Sequence, residues 1–86
     1  MKVYLVGSHD CEFTNTRYVC LSKETALKRW EEIRKELIKD KKELLEFYPN
    51  DETTIRILKN LQETDPEKMD NYPQEEPFIE EMATED

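Results

Sequence analysis

Ser8, His9, Asp10 and Cys11 stand in a row inside VGSHDCEF, close to the start of the chain. His9 is the only histidine and Cys11 is one of two cysteines, so imidazole or thiol chemistry would draw on this stretch. A Ser/His/Asp set works when hydroxyl, imidazole and carboxylate converge in space, whereas neighbouring side chains diverge along a backbone. Three consecutive residues therefore form no triad among themselves. His9 and Cys11, two positions apart, would share one side of an extended segment. A thiol–imidazole pair also needs an orienting group and an oxyanion pocket, and no pattern in the chain marks either. A metal site on His9, Cys11 and Cys20, with Asp10 as a fourth ligand, would lack the close ligand pairs of structural zinc sites. The simpler reading is a turn, since Asp10, Asn15 and the threonines are turn formers, with Cys20 as a small core residue. No residue is assigned to catalysis, a cofactor or a metal, and the chain reads as non-enzymatic. A small metal- or thiol-dependent protein using His9 and Cys11 is the third functional reading.

These residues sit between two short apolar runs. KVYLVG (2–7) and RYVCLS (17–22) are rich in β-branched and aromatic residues and read as strands. The nine residues SHDCEFTNT would link them as a long hairpin loop. SKETALKRWEEIRKELIKDKKELLEFY follows, with Ser22 as N-cap and Glu24 in the first turn. Ala26, Trp30, Ile33, Leu37, Leu44 and Phe47 recur at three–four spacing, and Leu27, Ile38 and Leu45 widen the stripe. The pattern predicts one amphipathic helix of about 25 residues ended by Pro49, with Trp30 in the core. Its basic residues, among them Lys28, Arg34, Lys35 and Lys41, alternate with acids as a solvated face. At 1.5 Å per residue the helix is about 38 Å long, well beyond strands of about 20 Å. Its far end therefore needs another partner. Residues 50–64 supply it as a second helix, capped by Asn50 or Asp51, with Ile55, Leu58 and Leu61 on one face and Ile57 beside it. Residues 65–77, with three prolines, read as an extended acidic loop. PFIEEMATED reads as a third strand in which Phe78, Ile79 and Met82 pack and Glu80 and Glu81 face water, with a frayed tail at 83–86. The fold class is α+β: a small antiparallel sheet of two or three strands on one long helix and one shorter helix, ordered β-β-α-α-β, in a single domain over 1–86.

Charge is the strongest functional signal. The 86 residues are 40% charged, with a net of −8. Residues 1–62 hold 12 basic and 11 acidic side chains, whereas 63–86 hold ten acids against Lys68 alone. Such a block repels nucleic-acid backbones and attracts basic surfaces. Neither a membrane span nor a signal-peptide core appears, and the expected location is the cytoplasm, where cysteines stay reduced.

KVYLVGSH, the LSKETALKRW helix start and the closing PFIEE together resemble small uncharacterised bacterial and phage domains of β-β-α-β type. The resemblance covers both ends of the chain but not 50–76, and it implies a fold without implying chemistry. MKVYLVGS also looks like the first strand of nucleoside deoxyribosyltransferases. This chain is too short for that fold, lacks its later catalytic region and has Ser8 where that family commonly has proline. In size and acidity the chain is similar to phage inhibitors of host nucleases and repair enzymes.

The leading functional reading is therefore an acidic protein-binding module, a phage or bacterial regulator or inhibitor. It would dock Asp70, Tyr72, Glu75, Glu76, Phe78, Glu80 and Glu81 on a basic surface, such as that of a nucleic-acid-binding enzyme, and carboxylates spaced like phosphates would imitate DNA. The alternative is a structural, self-associating homodimeric domain, because short strands leave open sheet edges and the long helix carries a wide apolar stripe.

Overall fold

The computed structural model describes residues 1–10, 12–70 and 75–84. Its elements are β1 (Lys2–His9), β2 (Thr14–Cys20), α1 (Lys23–Phe47), α2 (Glu52–Leu61) and β3 (Glu76–Ala83). The strands form one antiparallel sheet in the order β2-β1-β3, which gives the α+β fold expected from the sequence.

The hairpin is longer and its loop shorter than the residue types suggest. Ser8 and His9 extend β1, and Thr14 to Thr16 extend β2. The turn shrinks because Asp10 closes it alone. Its Oδ1 accepts from the N–H groups of Glu12 (3.0 Å) and Phe13 (2.8 Å), while its own N–H donates to the Phe13 carbonyl (2.9 Å). These two backbone donors hold the Asp10 carboxyl below its ordinary pKa, that of Glu12 contributing most.

Val6 lies opposite Tyr18 but Gly7 lies opposite Thr16, so Arg17 is the extra residue of a β-bulge in β2. The bulge brings the β2 backbone onto β1, and a Cβ on Gly7 would stand 1.8 Å from the Asn15 carbonyl oxygen. Only glycine fits there. Arg17 reaches across to Glu36 of α1 at 2.7 Å, and the Arg29 guanidinium lies 4.6 Å from the Tyr18 ring centroid.

Helix α1 begins where its cap predicts, with Ser22 Oγ accepting from the Thr25 N–H. It packs on one face of the sheet. Ala26, Trp30 and Ile33 are buried against Val6 and Cys20, with Tyr4, Tyr18 and Ile79 at the margin. Trp30 is 2% exposed, and its Nε1 has no hydrogen-bond partner among the described residues.

Beyond Ile33 the stripe departs from the expected one. Arg34 and Lys41 are buried rather than solvated, whereas Leu44 is partly exposed and Phe47 is 78% exposed. Among the described residues nothing covers Phe47. Arg34 can be buried because each of its three nitrogens has a partner: it grips Glu31 through Nε and Nη2 and donates from Nη1 to the Leu61 carbonyl (2.6 Å).

The second helix is capped by Asp51, whose Oδ1 accepts from the Thr53 and Thr54 N–H groups. Its buried row is Thr54, Ile57 and Leu61, and Ile55 is 45% exposed, which corrects the Ile55–Leu58–Leu61 face read from spacing. Thr54 can be buried because its hydroxyl donates to Asp51 Oδ2 at 3.0 Å.

After α2, residues 65–70 of the expected loop make a pinned turn, and 71–74 lie outside the described residues. The N–H groups of Lys68 and Met69 donate to the Asp65 carbonyl, and the Asn60 side chain clamps both backbone groups of Asp70 (2.7 and 2.9 Å). This delivers Met69 to the core. At the other end β3 runs through Ala83, and the N–H and hydroxyl of Thr84 both donate to the Met1 carbonyl (2.8 and 3.0 Å). The predicted frayed tail is therefore tied to β1 at 83–84, and residues 85–86 lie outside the described residues.

Candidate functional site

Of the reactive letters that open the chain, His9 and Asp10 make contacts within the hairpin and its neighbouring strand. Ser8 and His9 are adjacent strand residues and so point to opposite sheet faces, while Asp10 closes the turn. His9 Nδ1 lies 2.9 Å from the Thr14 hydroxyl, and its ring stacks on Phe78 at 4.6 Å between centroids. Cys20 is a buried thiol, and Cys11 lies outside the described residues. No group of three or more His, Cys, Asp or Glu side chains converges as a metal site among the described residues.

Among the described residues, the acidic segment does not present its side chains as one surface. Glu75 bonds to the buried Lys41 at 2.5 Å, tethering the segment to α1, and Glu76 is 1% exposed. Phe78 is half-buried against His9. Asp70 is held through its backbone by Asn60, and Tyr72 lies outside the described residues. Glu80 and Glu81 are exposed, and as neighbours in a strand they face opposite sides of the sheet. Glu81 lies 3.6 Å from Lys2, but both side chains are more than half exposed, so this pair is worth little.

What the structure assembles instead is a cleft along β3. Tyr4, Ile79 and Glu81 form its sheet side, Lys23 and Leu27 its helix side, and Asp65, Pro66 and Glu67 its third wall, around a volume of about 670 Å³. Three carboxylates thus surround an apolar floor of Tyr4, Leu27, Pro66 and Ile79, and Lys23 is the single cation of the lining among the described residues. Strand register brings Glu81 opposite Tyr4 and Ile79 opposite Val6. Asp65 and Glu67 arrive through the turn in which Asp65 Oδ1 accepts from the Glu67 N–H (3.0 Å). Both acids belong to the charge block of 63–86, but no spacing in the sequence places them beside Tyr4 and Glu81. The available signal was the Asp-Pro dipeptide, which favours turn initiation.

The backbone of β3 adds polar groups. Antiparallel pairs alternate between those that exchange hydrogen bonds and those that do not. Thr84 donates to Met1, and the register runs without a shift from Lys2–Ala83 to His9–Glu76. Met82, Glu80, Phe78 and Glu76 therefore bond to β1, while Pro77, Ile79, Glu81 and Ala83 turn their backbone groups to the outer edge. Pro77, which has no N–H, fits this outward set. Comparison of the chain with protein-family models, curated proteins and solved structures finds no match.

Proposed function

We propose that this chain is a non-enzymatic protein-binding module that docks the acidic side of its C-terminal segment on a basic protein surface. The observation that carries the reading is the gathering of Asp65, Glu67 and Glu81 around an apolar floor, with Glu80 on the far side of the same strand. Carboxylates over apolar ground favour a lysine or arginine side chain, whose methylene stem packs while its head stays paired. The same charge disfavours direct contact with nucleic acid. A nucleic-acid-binding enzyme in the cytoplasm, bound by a bacterial or phage regulator that imitates the polyanion, is the partner class that fits.

Affinity capture from host lysate at low and at high salt tests this. A basic enzyme that is retained at low salt, released by salt and lost with Glu80→Lys/Glu81→Lys supports the proposal. Retention insensitive to both changes overturns it.

A second reading has its own observation. The sheet face away from α1 carries Val3, Leu5, Val19, Phe78 and Met82, none of which belongs to the core, and Val19 is 64% exposed. Self-association through this face predicts a dimer by analytical ultracentrifugation that Val19→Lys dissociates; a monomer at high micromolar concentration excludes it.

A further inference from the structure

We infer that the outer edge of β3 takes up an extended, lysine- or arginine-rich segment of the partner as a fourth strand of the sheet. This rests on the docking reading above and specifies how docking occurs. Ile79, Glu81 and Ala83 direct backbone donors and acceptors away from β1, and among the described residues no hydrogen bond engages these outward groups. Pro66 lines both the cleft and a smaller groove with His9, Pro77, Phe78 and Glu80, so it flanks the edge at Ile79 and leaves Ile79 to Ala83 as the stretch on offer. A strand added there meets carboxylates on both of its faces. Residues turned to the helix side meet Glu81, Asp65 and Glu67, and residues turned the other way meet Glu80.

Charge selects the occupant. A second copy of β3 would set glutamates against glutamates, and like charges directly opposed destabilise a strand pair. Pro77 blocks one outward donor as well, and proline and charge are the usual guards of an edge against its own kind. A basic strand turns the pairs at Glu80 and Glu81 into pairs of opposite charge. The other edge, β2, carries Arg17 and no acid, so it offers no such selection.

The probe is the peptide acetyl-(Lys-Val)3-amide, titrated at low salt into the ¹⁵N-labelled full chain. Its partner is the same peptide N-methylated at alternate residues, which keeps the charge and the side chains but loses the N–H donors of one edge. The amides of Ile79 and Glu81 should shift and gain exchange protection while those of Glu80 and Met82 hardly move. N-methylation should weaken binding about 10-fold, as loss of about two backbone hydrogen bonds implies. Glu81→Gln should weaken it about 2- to 5-fold, and Glu81→Pro, which also removes an outward N–H, by about a further 3-fold. Unchanged β1 amide shifts would show that the proline variant is folded. Equal affinity for both peptides, shifts centred elsewhere, or no binding overturns the inference. Salt-sensitive capture of a basic protein that survives Glu81→Pro but not Glu80→Lys/Glu81→Lys would leave the docking reading standing without the added strand.

Discussion

Replacing Arg34 by methionine should destabilise the protein by about 2–3 kcal/mol. Arg34 is 8% exposed and joins two helices, with a forked contact to Glu31 and a 2.6 Å bond to the carbonyl of Leu61, the last residue of α2. Methionine refills much of the volume, so the loss is polar. A charge-assisted hydrogen bond contributes about 1.5–3 kcal/mol, and the Leu61 carbonyl would stay buried without its donor. The Glu31 contribution is discounted, because its side chain is 34% exposed and water can solvate the freed carboxylate. A domain of this size shifts its Tm by about 4–8 °C per kcal/mol, so thermal unfolding followed by circular dichroism should fall by about 10–20 °C. Arg34→Lys should recover only part of this, since an ammonium cannot fork across Glu31 and still reach Leu61. A methionine variant within about 2 °C of the parent would refute the account and show that α2 is held by Ile57 and Leu61 alone.

Three further outcomes follow from single contacts. Gly7→Ala places a methyl group inside the Asn15 carbonyl, so the bulge must open at about 3 kcal/mol, read by urea unfolding and by amide shifts over 14–18. Asp51→Ala removes the α2 cap and leaves the buried Thr54 hydroxyl without its acceptor; about 1–2 kcal/mol should be lost in the same assay. Glu31 titrates below the ordinary glutamate range because Arg34 hydrogen-bonds its carboxylate, an effect partly opposed by desolvation. Its folded pKa is lowered, so its contribution is fully present above about pH 4.3 and fades as pH falls through the folded value. The stability gap between parent and Glu31→Gln should therefore close on acidification, and a gap constant from pH 6 to pH 2.5 would contradict the assignment.

The elements were legible because their signals are local. Ser22, Asp51 and Pro49 punctuate the helices, and the Ala26–Trp30–Ile33 spacing marks the buried face. What stayed hidden depended on partners distant in sequence. Arg34 and Lys41 read as solvated cations until Leu61 and Glu75 supply the groups that let them be buried. Ile55 read as core until a threonine, satisfied by its own cap, took the place facing α1. Asp65 and Glu67 join Tyr4 and Ile79 only after the two ends of the chain pair, which no periodicity announces. Glu75 and Glu76 show the converse error. Composition ranks them with Glu80 and Glu81, but the fold uses one as a tether and buries the other.

The bond between Met1 and Thr84 joins residues 83 positions apart and closes the ladder that makes β1 a central strand. The hairpin and the helices need only neighbours, whereas this ladder brings together nearly the whole chain. Loop closure on that scale carries an entropic penalty that local contacts avoid, and high contact order slows folding. During synthesis β1 can zip to β2 early, but its other side stays unmatched until residues 76–83 have emerged. For that interval the nascent protein exposes Val3, Leu5 and Gly7 on a bare strand, the state in which it is most exposed to aggregation.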